Sequence, residues 1–119
     1  MTIQPSGAAA ARLRQRKFRR LAGLEVPPDG LPGSLALTHR PCGKPTCHCA
    51  TGAGHPIWSL TFMLRGKKRV ERIPDDWVAD VRRQVEAGRA FKEAVAEVFA
   101  ANAQLLALWR RQARRRPRR

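Results

Sequence analysis

The segment CGKPTCHCATGAGH, residues 42–55, contains all three cysteines of the 119-residue chain and two of its three histidines. Three thiolates and one imidazole are a complete ligand set for a tetrahedral Zn²⁺. Glycine, proline and small polar residues separate these ligands, which is typical of a loop wrapped around an ion. The segment therefore predicts one structural zinc site, whose ligands are Cys42, Cys47, Cys49 and His55.

The spacing of the ligands supports this prediction and leaves alternatives open. Four residues separate Cys42 from Cys47, which is usual for zinc ligands, whereas the single residue between Cys47 and Cys49 is tighter than usual. His39 is the second candidate for the fourth ligand, because His48 would have to turn its ring inward between two ligands. A packed turn without metal, and redox or catalytic use of the thiols, are the alternative interpretations.

The composition of the chain also indicates its compartment. Three cysteines cannot all pair in disulfides, and the first residues lack the charged and apolar regions of an export signal. No window approaches the roughly 20 apolar residues that a membrane-spanning helix needs. We therefore expect a cytoplasmic protein with no membrane association, in which reduced thiols are available to a metal.

Charge is the second strong signal, because the net charge of +15 is concentrated in three clusters. Residues 1–24 and 110–119 carry six and seven basic side chains with no acid, and residues 40–72 carry seven against one acid. Such clusters predict contact with a polyanion. The residues that we expect to bind nucleic acid are Arg12, Arg16, Arg19, Arg20, Lys67, Lys68, Arg69, Arg110, Arg111, Arg114, Arg115 and Arg116.

Hydrophobic periodicity predicts an α+β fold with four segments. Residues 1–24 form a basic helical arm with a helix over 8–22, and residues 25–33 form a turn-rich linker. Residues 34–73 combine the Cys/His knuckle with strands at 34–39, 57–64 and 69–73, of which the last two form a hairpin. Residues 74–119 begin with a helix-start signal and form a long helix to about residue 115, followed by the arginine-rich end.

The long helix needs a covering partner. Apolar residues recur in steps of four and three at 91, 95, 98, 105 and 109, which is the spacing of a coiled-coil seam, with Asn102 as the polar exception. The helix would be roughly 55–60 Å long at about 1.5 Å per residue. The helix over 8–22 would cover only about 22 Å of it. Either the helix over 8–22 folds back along it or a second molecule covers it, and we favour a second copy, in a homodimer.

From Leu31 onward the chain resembles a family of small bacterial proteins of unknown function that are encoded in mobile elements beside transposase or recombinase genes. The residues that carry the resemblance are Leu31-Pro-Gly-Ser-Leu35, Cys42-Gly-Lys-Pro-x-Cys47-x-Cys49, His55-Pro-x-Trp58-x-Leu60-Thr61, Gly66-Lys67, Val81-Arg82-x-x-Val85-Glu86, Phe91-Lys92-Glu93 and Asn102-x-x-Leu105. Members often have His-Gly-Pro where this chain has His55-Pro56, and the arginine-rich end is particular to this chain. The resemblance implies a zinc knuckle and a mobile-element context.

The first functional hypothesis is a non-enzymatic accessory protein that binds nucleic acid, with DNA as the expected polymer and a transposase or recombinase as the expected protein partner. No helix-turn-helix or Cys₂His₂ finger spacing offers a carrier for sequence-specific readout. The alternative is an adaptor that dimerises or docks on a partner enzyme through the helix over 77–109. An enzyme is the weakest hypothesis, because the acids form no pair placed for acid–base chemistry and no phosphate-binding glycine loop is present.

Overall fold

The computed structural model describes residues 2–52 and 54–115, apart from the side chains of Cys49 and Ala50. It shows the predicted α+β fold. The helices and strands are α1 (Ala8–Ala22), β1 (Ser34–Arg40), β2 (His55–Leu64), β3 (Lys67–Ile73) and α2 (Val78–Arg115). Two short 3₁₀ helices, at His48–Thr51 and Asp75–Trp77, precede β2 and α2.

The strands are slightly longer than predicted, because the ladder pairs continue to their ends. The sheet is antiparallel with β2 in the centre, and its register pairs Arg40 with His55 and Leu64 with Lys67. Strand β2 therefore begins two residues before the predicted start, and Arg65 and Gly66 alone form the turn of the hairpin. The predicted helix over 8–22 has the predicted bounds.

Residues 27–89 form one compact unit, the sheet unit. Its core consists of Leu60 from β2 and Val81 and Val85 from α2, with Phe62 and Ile73 packed against them. Side chains alternate along a strand, so Leu60 and Phe62 share one face of β2, and the core lies on that face. The opposite face of the sheet is open, because Met63 and Val70 there are 61% and 56% exposed.

The linker before β1 packs closely on α2 within the sheet unit. The Leu31 backbone N–H donates a hydrogen bond of 2.9 Å to the Gln84 carbonyl of the helix. A Cβ atom on Gly88 would lie 2.5 Å from the Leu31 carbonyl oxygen, closer than real Cβ contacts come. The sequence offers no reason for a glycine inside a long helix, and this backbone contact supplies one.

Residues 1–26 and 90–119 form the second compact unit, the helical unit. In it α1 lies antiparallel to the last part of α2. Gln112 of α2 exchanges two hydrogen bonds with the Ser6 backbone before α1, and Glu97 pairs with Arg20 near the end of α1. Of the two coverings considered for the long helix, the structure therefore shows α1 folded back along it; a second copy stays a prediction.

The seam of α2 that α1 covers differs from the predicted one. Val98, Ala101 and Leu105 are buried, at 7%, 3% and 6% exposure, so the seam passes through residue 101. Asn102 is exposed, and its Oδ1 accepts a hydrogen bond of 3.1 Å from Lys17 Nζ. The prediction that Asn102 lies in the seam is therefore wrong, because the helix turns Ala101 toward α1. None of the helices in the described part of the chain has the length and hydropathy of a membrane span.

Candidate metal centre and basic surfaces

The Cys/His loop is closed by the sheet. Its two ends, Arg40 and His55, are directly opposed in the β1–β2 ladder, so residues 41–54 return to their starting point. The Cys47 backbone N–H donates a hydrogen bond of 3.1 Å to the Lys44 carbonyl, which closes a tight turn. Gly54 has φ +93°, and a Cβ there would lie 2.6 Å from the Arg40 carbonyl oxygen, so the return to β2 requires glycine.

Three of the four predicted zinc ligands lie together. The ligand atoms of Cys42, Cys47 and His55 all lie within 4.8 Å of one another. The Sγ atom of Cys47 is 3.2 Å from Nε2 of His55. Bond lengths of about 2.3 Å to sulfur and about 2.0–2.1 Å to nitrogen place two ligand atoms of a tetrahedral zinc ion about 3.6 Å apart. The trio is therefore close enough to hold a metal ion with small movements.

The structure also separates the candidates for the fourth position. Opposed residues of antiparallel strands point to the same face, and the register pairs His39 with Pro56 and Arg40 with His55. His39 therefore lies on the opposite face of the sheet from His55, which favours His55 as the imidazole ligand. The ring of His48 lies edge-on to that of His55 at a centroid distance of 5.7 Å. The side chain of Cys49 lies outside the described residues, so its role as a ligand stays a prediction.

The two cysteines shape the electrostatics of His55. Hydrogen bonds with Cys42 and Cys47, and the negative charge of the Cys47 thiolate, raise the pKa of His55. The protonated form of His55 is therefore favoured beside the two cysteine side chains. Metal binding requires thiolates and a neutral imidazole, so a divalent ion would displace protons from these groups.

The first basic surface is the outer side of α1. Arg12, Arg16 and Arg19 follow one another in steps of four and three, which places them on one helix face, and all three are exposed. Arg20 was predicted to join them, but both of its hydrogen bonds go to the Glu97 carboxylate of α2, one of them at 2.7 Å. This ion pair lowers the pKa of Glu97, chiefly through the hydrogen bond. The structure thus leaves three of the four predicted α1 arginines turned outward.

The second basic cluster is divided by the sheet. Side chains of a strand alternate between its faces, so Lys67 and Arg69 lie on the face of β3 that also carries the core, and Lys68 lies on the open face. Arg72 shares the open face with Lys68 and is exposed. The three predicted residues of β3 therefore cannot all contact one flat surface. Strand alternation is the sequence signal that identifies Lys68 and Arg72 as a pair.

The third basic cluster ends α2. Arg110, Arg111, Arg114 and Arg115 are exposed there, and Arg116 lies outside the described residues. Sequence reasoning missed a shallow hollow of about 470 Å³ beside these side chains. The hollow is lined by Ala103, Leu106, Ala107, Arg110, Arg111 and Arg114. It was missed because Leu106 lies outside the predicted seam.

Comparison with known proteins gives a family but no activity. Residues 9–83 match a domain of unknown function, DUF6788, which is more than half of the chain. No curated protein and no solved structure matches the chain. The match extends from α1 through the sheet and the Cys/His loop to the first turns of α2. The match therefore begins before Leu31, where the resemblance described from the sequence begins. It ends before Phe91 and Asn102, which also carry that resemblance.

Proposed function

Because the chain belongs to the DUF6788 family, whose function is unknown, we propose from its own residues that it is a non-enzymatic accessory protein that binds nucleic acid. DNA is the expected polymer. A structural Zn²⁺ held by Cys42, Cys47, Cys49 and His55 would stabilise it, and a mobile-element transposase or recombinase is the expected protein partner.

The observation that carries the proposal is the outward face of α1. Arg12, Arg16 and Arg19 occupy about 10 Å of helix at about 1.5 Å per residue, and no acid lies in residues 1–24 to neutralise them. Glu97 of α2 forms its ion pair with Arg20, and Arg16 acts on it only through charge. A row of exposed guanidinium groups with no acid on its own helix is suited to the phosphates of a nucleic-acid backbone.

The other basic surfaces offer further phosphate contacts but no base-specific ones. Lys68 and Arg72 on the open face of the sheet, and the arginines at the end of α2, are exposed. Contacts of this kind bind phosphates and position the protein, while base recognition needs side chains inserted into a groove. We therefore propose binding that is strongly salt-dependent and weakly selective for sequence.

The zinc part of the proposal rests on the trio of Cys42, Cys47 and His55 and on the small size of the sheet-unit core. Leu60, Val81 and Val85 are the buried residues of the sheet-unit core cluster, which is little apolar burial for a stable domain. A structural zinc ion contributes folding energy directly, and small domains often depend on such an ion. The metal would fasten the loop to the first residue of β2.

The test is a salt titration of duplex binding by fluorescence anisotropy, using two unrelated sequences. Replacement of Arg12, Arg16 and Arg19 by Gln should reduce the slope of log K against log salt by up to about 2.7, at about 0.9 per phosphate contact. The matched control replaces Arg82, Arg83 and Arg89 by Gln, which removes the same charge from the acid-containing part of α2. The proposal would be contradicted if both variants reduced this slope equally, or if neither variant reduced it.

A second candidate function is the adaptor that dimerises or docks through α2. The observation that favours it is the pair of exposed apolar side chains Phe99 and Leu106, which are 66% and 48% exposed. Exposed apolar surface on a helix is a common sign of a protein contact. DNA binding seen only in the presence of a partner enzyme would favour this function over the first.

A further inference from the structure

The open face of the sheet, which lies opposite the core, carries basic side chains and no acid. Opposed residues of antiparallel strands point to the same face, so the even positions of β1 and β3 and the odd positions of β2 share the open face. Arg40 of β1 and Lys68 and Arg72 of β3 are exposed there. Glu71, which is the acid of these strands, lies on the core face. Charge complementarity therefore favours a polyanion as the partner of the open face.

The basic side chains of the open face lie on the two outer strands, and its centre is neutral. On the central strand β2, every position after His55 of the metal trio is uncharged. Ser59 and Thr61, both half-buried, present their hydroxyls on this face, and Met63 beside them is 61% exposed. The face thus combines two basic edges with a centre of hydroxyl and apolar side chains.

The dimensions of the sheet match the major groove of duplex DNA. Neighbouring strands of a sheet lie about 4.8 Å apart, so the outer strands β1 and β3 are about 10 Å apart. The major groove is about 12 Å wide, is bounded by the phosphates of both DNA strands and exposes the edges of the bases. When β2 lies over the groove, the two outer strands therefore lie over its two walls.

We propose that the open face of the sheet lies over the major groove of duplex DNA, with the basic side chain of β1 against the phosphates of one wall and those of β3 against the other. Serine and threonine hydroxyls bond to any base, and apolar side chains contact the methyl group of thymine. Ser59, Thr61 and Met63 therefore contact base edges with little selection of sequence. This inference rests on the proposed function, because it takes duplex DNA as the polymer, and it adds the groove that the protein occupies.

Two other occupants fit the open face less well. A second copy stacked face to face would bring the basic side chains of both copies together with no acid between them. A single strand needs side chains on which its unpaired bases stack, and these are usually aromatic. The aromatic side chains Trp58 and Phe62 of β2 lie on the core face instead. A duplex needs no such platform, because its bases are already stacked on one another.

The first experiment measures binding of the full chain by fluorescence anisotropy to three duplexes of one sequence. One duplex is unmodified. In the second, glucosylated 5-hydroxymethylcytosine replaces cytosine and fills the major groove, and in the third, 2-aminoadenine replaces adenine and adds an amino group to the minor groove. Glucosylation should weaken binding at least about tenfold, and the minor-groove change less than about twofold, because only the first blocks the edges that the sheet contacts.

The second experiment assigns this effect to the sheet. Lys68→Gln combined with Arg72→Gln should reduce the slope of log K against log salt by up to about 1.8, at about 0.9 per phosphate contact. The same variant should bind the unmodified and glucosylated duplexes within about twofold of each other, because the sheet no longer holds the groove. The matched control, Arg83→Gln combined with Arg89→Gln, removes the same charge from exposed positions of α2 in the sheet unit and should keep the difference between the duplexes.

Circular dichroism of each variant shows whether the sheet and the helices are retained. The triple Gln variant of Arg12, Arg16 and Arg19 should also keep the difference between the duplexes, because its substitutions lie on α1. Equal binding of wild type to all three duplexes, equal effects of the two double variants, or tighter binding to a single strand of the same sequence would overturn the inference. A salt slope that ignores the α1 substitutions would instead contradict the proposed function, so the two failures are distinguishable.

Discussion

His55 is both the first residue of β2 and a member of the metal trio. The ladder with Arg40 fixes its backbone, whereas Cys42 and Cys47 lie in the loop. A bound ion would therefore connect loop residues to an element that is already ordered. Structural zinc in small peptides contributes an apparent binding free energy of about 10–16 kcal/mol, so the loss of one ligand should have a large effect.

The first prediction concerns Cys47. We expect about one equivalent of zinc in the purified wild-type chain, and less than about 0.2 equivalents in Cys47→Ser, because the hydroxyl is a poor substitute for the thiolate. Inductively coupled plasma mass spectrometry gives the stoichiometry. His48→Ala and His39→Ala are the controls and should keep their zinc. A metal-free wild-type chain whose unfolding ignores a chelator would contradict the prediction.

The second prediction concerns Gly88. In a free helix, Gly→Ala stabilises by about 1 kcal/mol, but here the new Cβ would lie 2.5 Å from the Leu31 carbonyl oxygen. Overpacking of this kind costs about 1–3 kcal/mol, so we expect Gly88→Ala to lower the free energy of unfolding. Urea denaturation measures the difference. Gly23→Ala is the control, since its Cβ meets nothing closer than 4.0 Å; stabilisation by Gly88→Ala would contradict the prediction.

The site residues that are recognised by their ligand chemistry could be predicted from the sequence. Those that depend on strand register or on long-range contacts could be predicted less well. Ligand chemistry and spacing identify Cys42 and Cys47 without knowledge of the fold, and they make His55 the first candidate for the imidazole. The choice between His39 and His55 needed the strand register, because a shift of one residue exchanges the two faces of a strand. Arg20 could not be assigned from sequence, since its partner Glu97 is 77 residues away.

At the level of elements, the strands and helices follow from local patterns. Alternation around Leu60 and the turn residues at Arg65 and Gly66 were enough to predict the hairpin. The seam of α2 could not be predicted in this way, because alanine is frequent on several faces of this helix and gives little contrast in a hydrophobic pattern. Ala101 was therefore overlooked in favour of its neighbour Asn102, and burial against α1 decides between them.

The third prediction concerns the pairing of α1 with α2. Arg20 lowers the pKa of Glu97 below its ordinary value of 4.5, so the pair stabilises the folded chain above that pH and the contribution is lost as pH falls through the lowered pKa. The melting temperature of wild type should exceed that of Glu97→Gln by at most a few degrees at pH 6–7. The difference should shrink below about pH 4.5.

The control for this comparison is Glu86→Gln. Glu86 is exposed and makes no ion pair in the described part of the chain. Its substitution should give no such pH-dependent difference in differential scanning calorimetry. A Glu97→Gln difference that is constant from pH 3 to 7 would mean that the ion pair does not stabilise the α1–α2 contact.

For the whole molecule, the distribution of charge between the two units is uneven. The helical unit carries fourteen basic and three acidic side chains, a net charge of +11, and the sheet unit carries ten basic and six acidic ones, a net charge of +4. Most of the attraction to a polyanion should therefore reside in the unit that contains α1 and the end of α2. Duplication of that unit in a dimer would bring two such surfaces to one polymer.

The fourth prediction follows from this duplication. On a duplex long enough for both copies, wild type should bind about 10–100 times more tightly than Phe99→Glu, which puts a charge on the exposed apolar surface of α2, because in a dimer the second contact is intramolecular. On a short duplex that accommodates one copy, the two proteins should bind alike. Anisotropy titrations with duplexes of graded length measure both cases. If the ratio of the wild-type and Phe99→Glu affinities were the same at all duplex lengths, dimerisation would make no contribution to nucleic-acid binding.

The exchange of hydrogen bonds between Ser6 and Gln112 brings together two positions that are 106 residues apart in the chain. A short peptide bridge between them would close the polypeptide into a ring with little disturbance of the fold. Closing a loop of about 100 residues removes chain entropy from the unfolded state, worth about 4.7 kcal/mol in the simplest estimate. New ends could then be opened at the exposed Arg65–Gly66 turn, so the same fold is open to circular permutation.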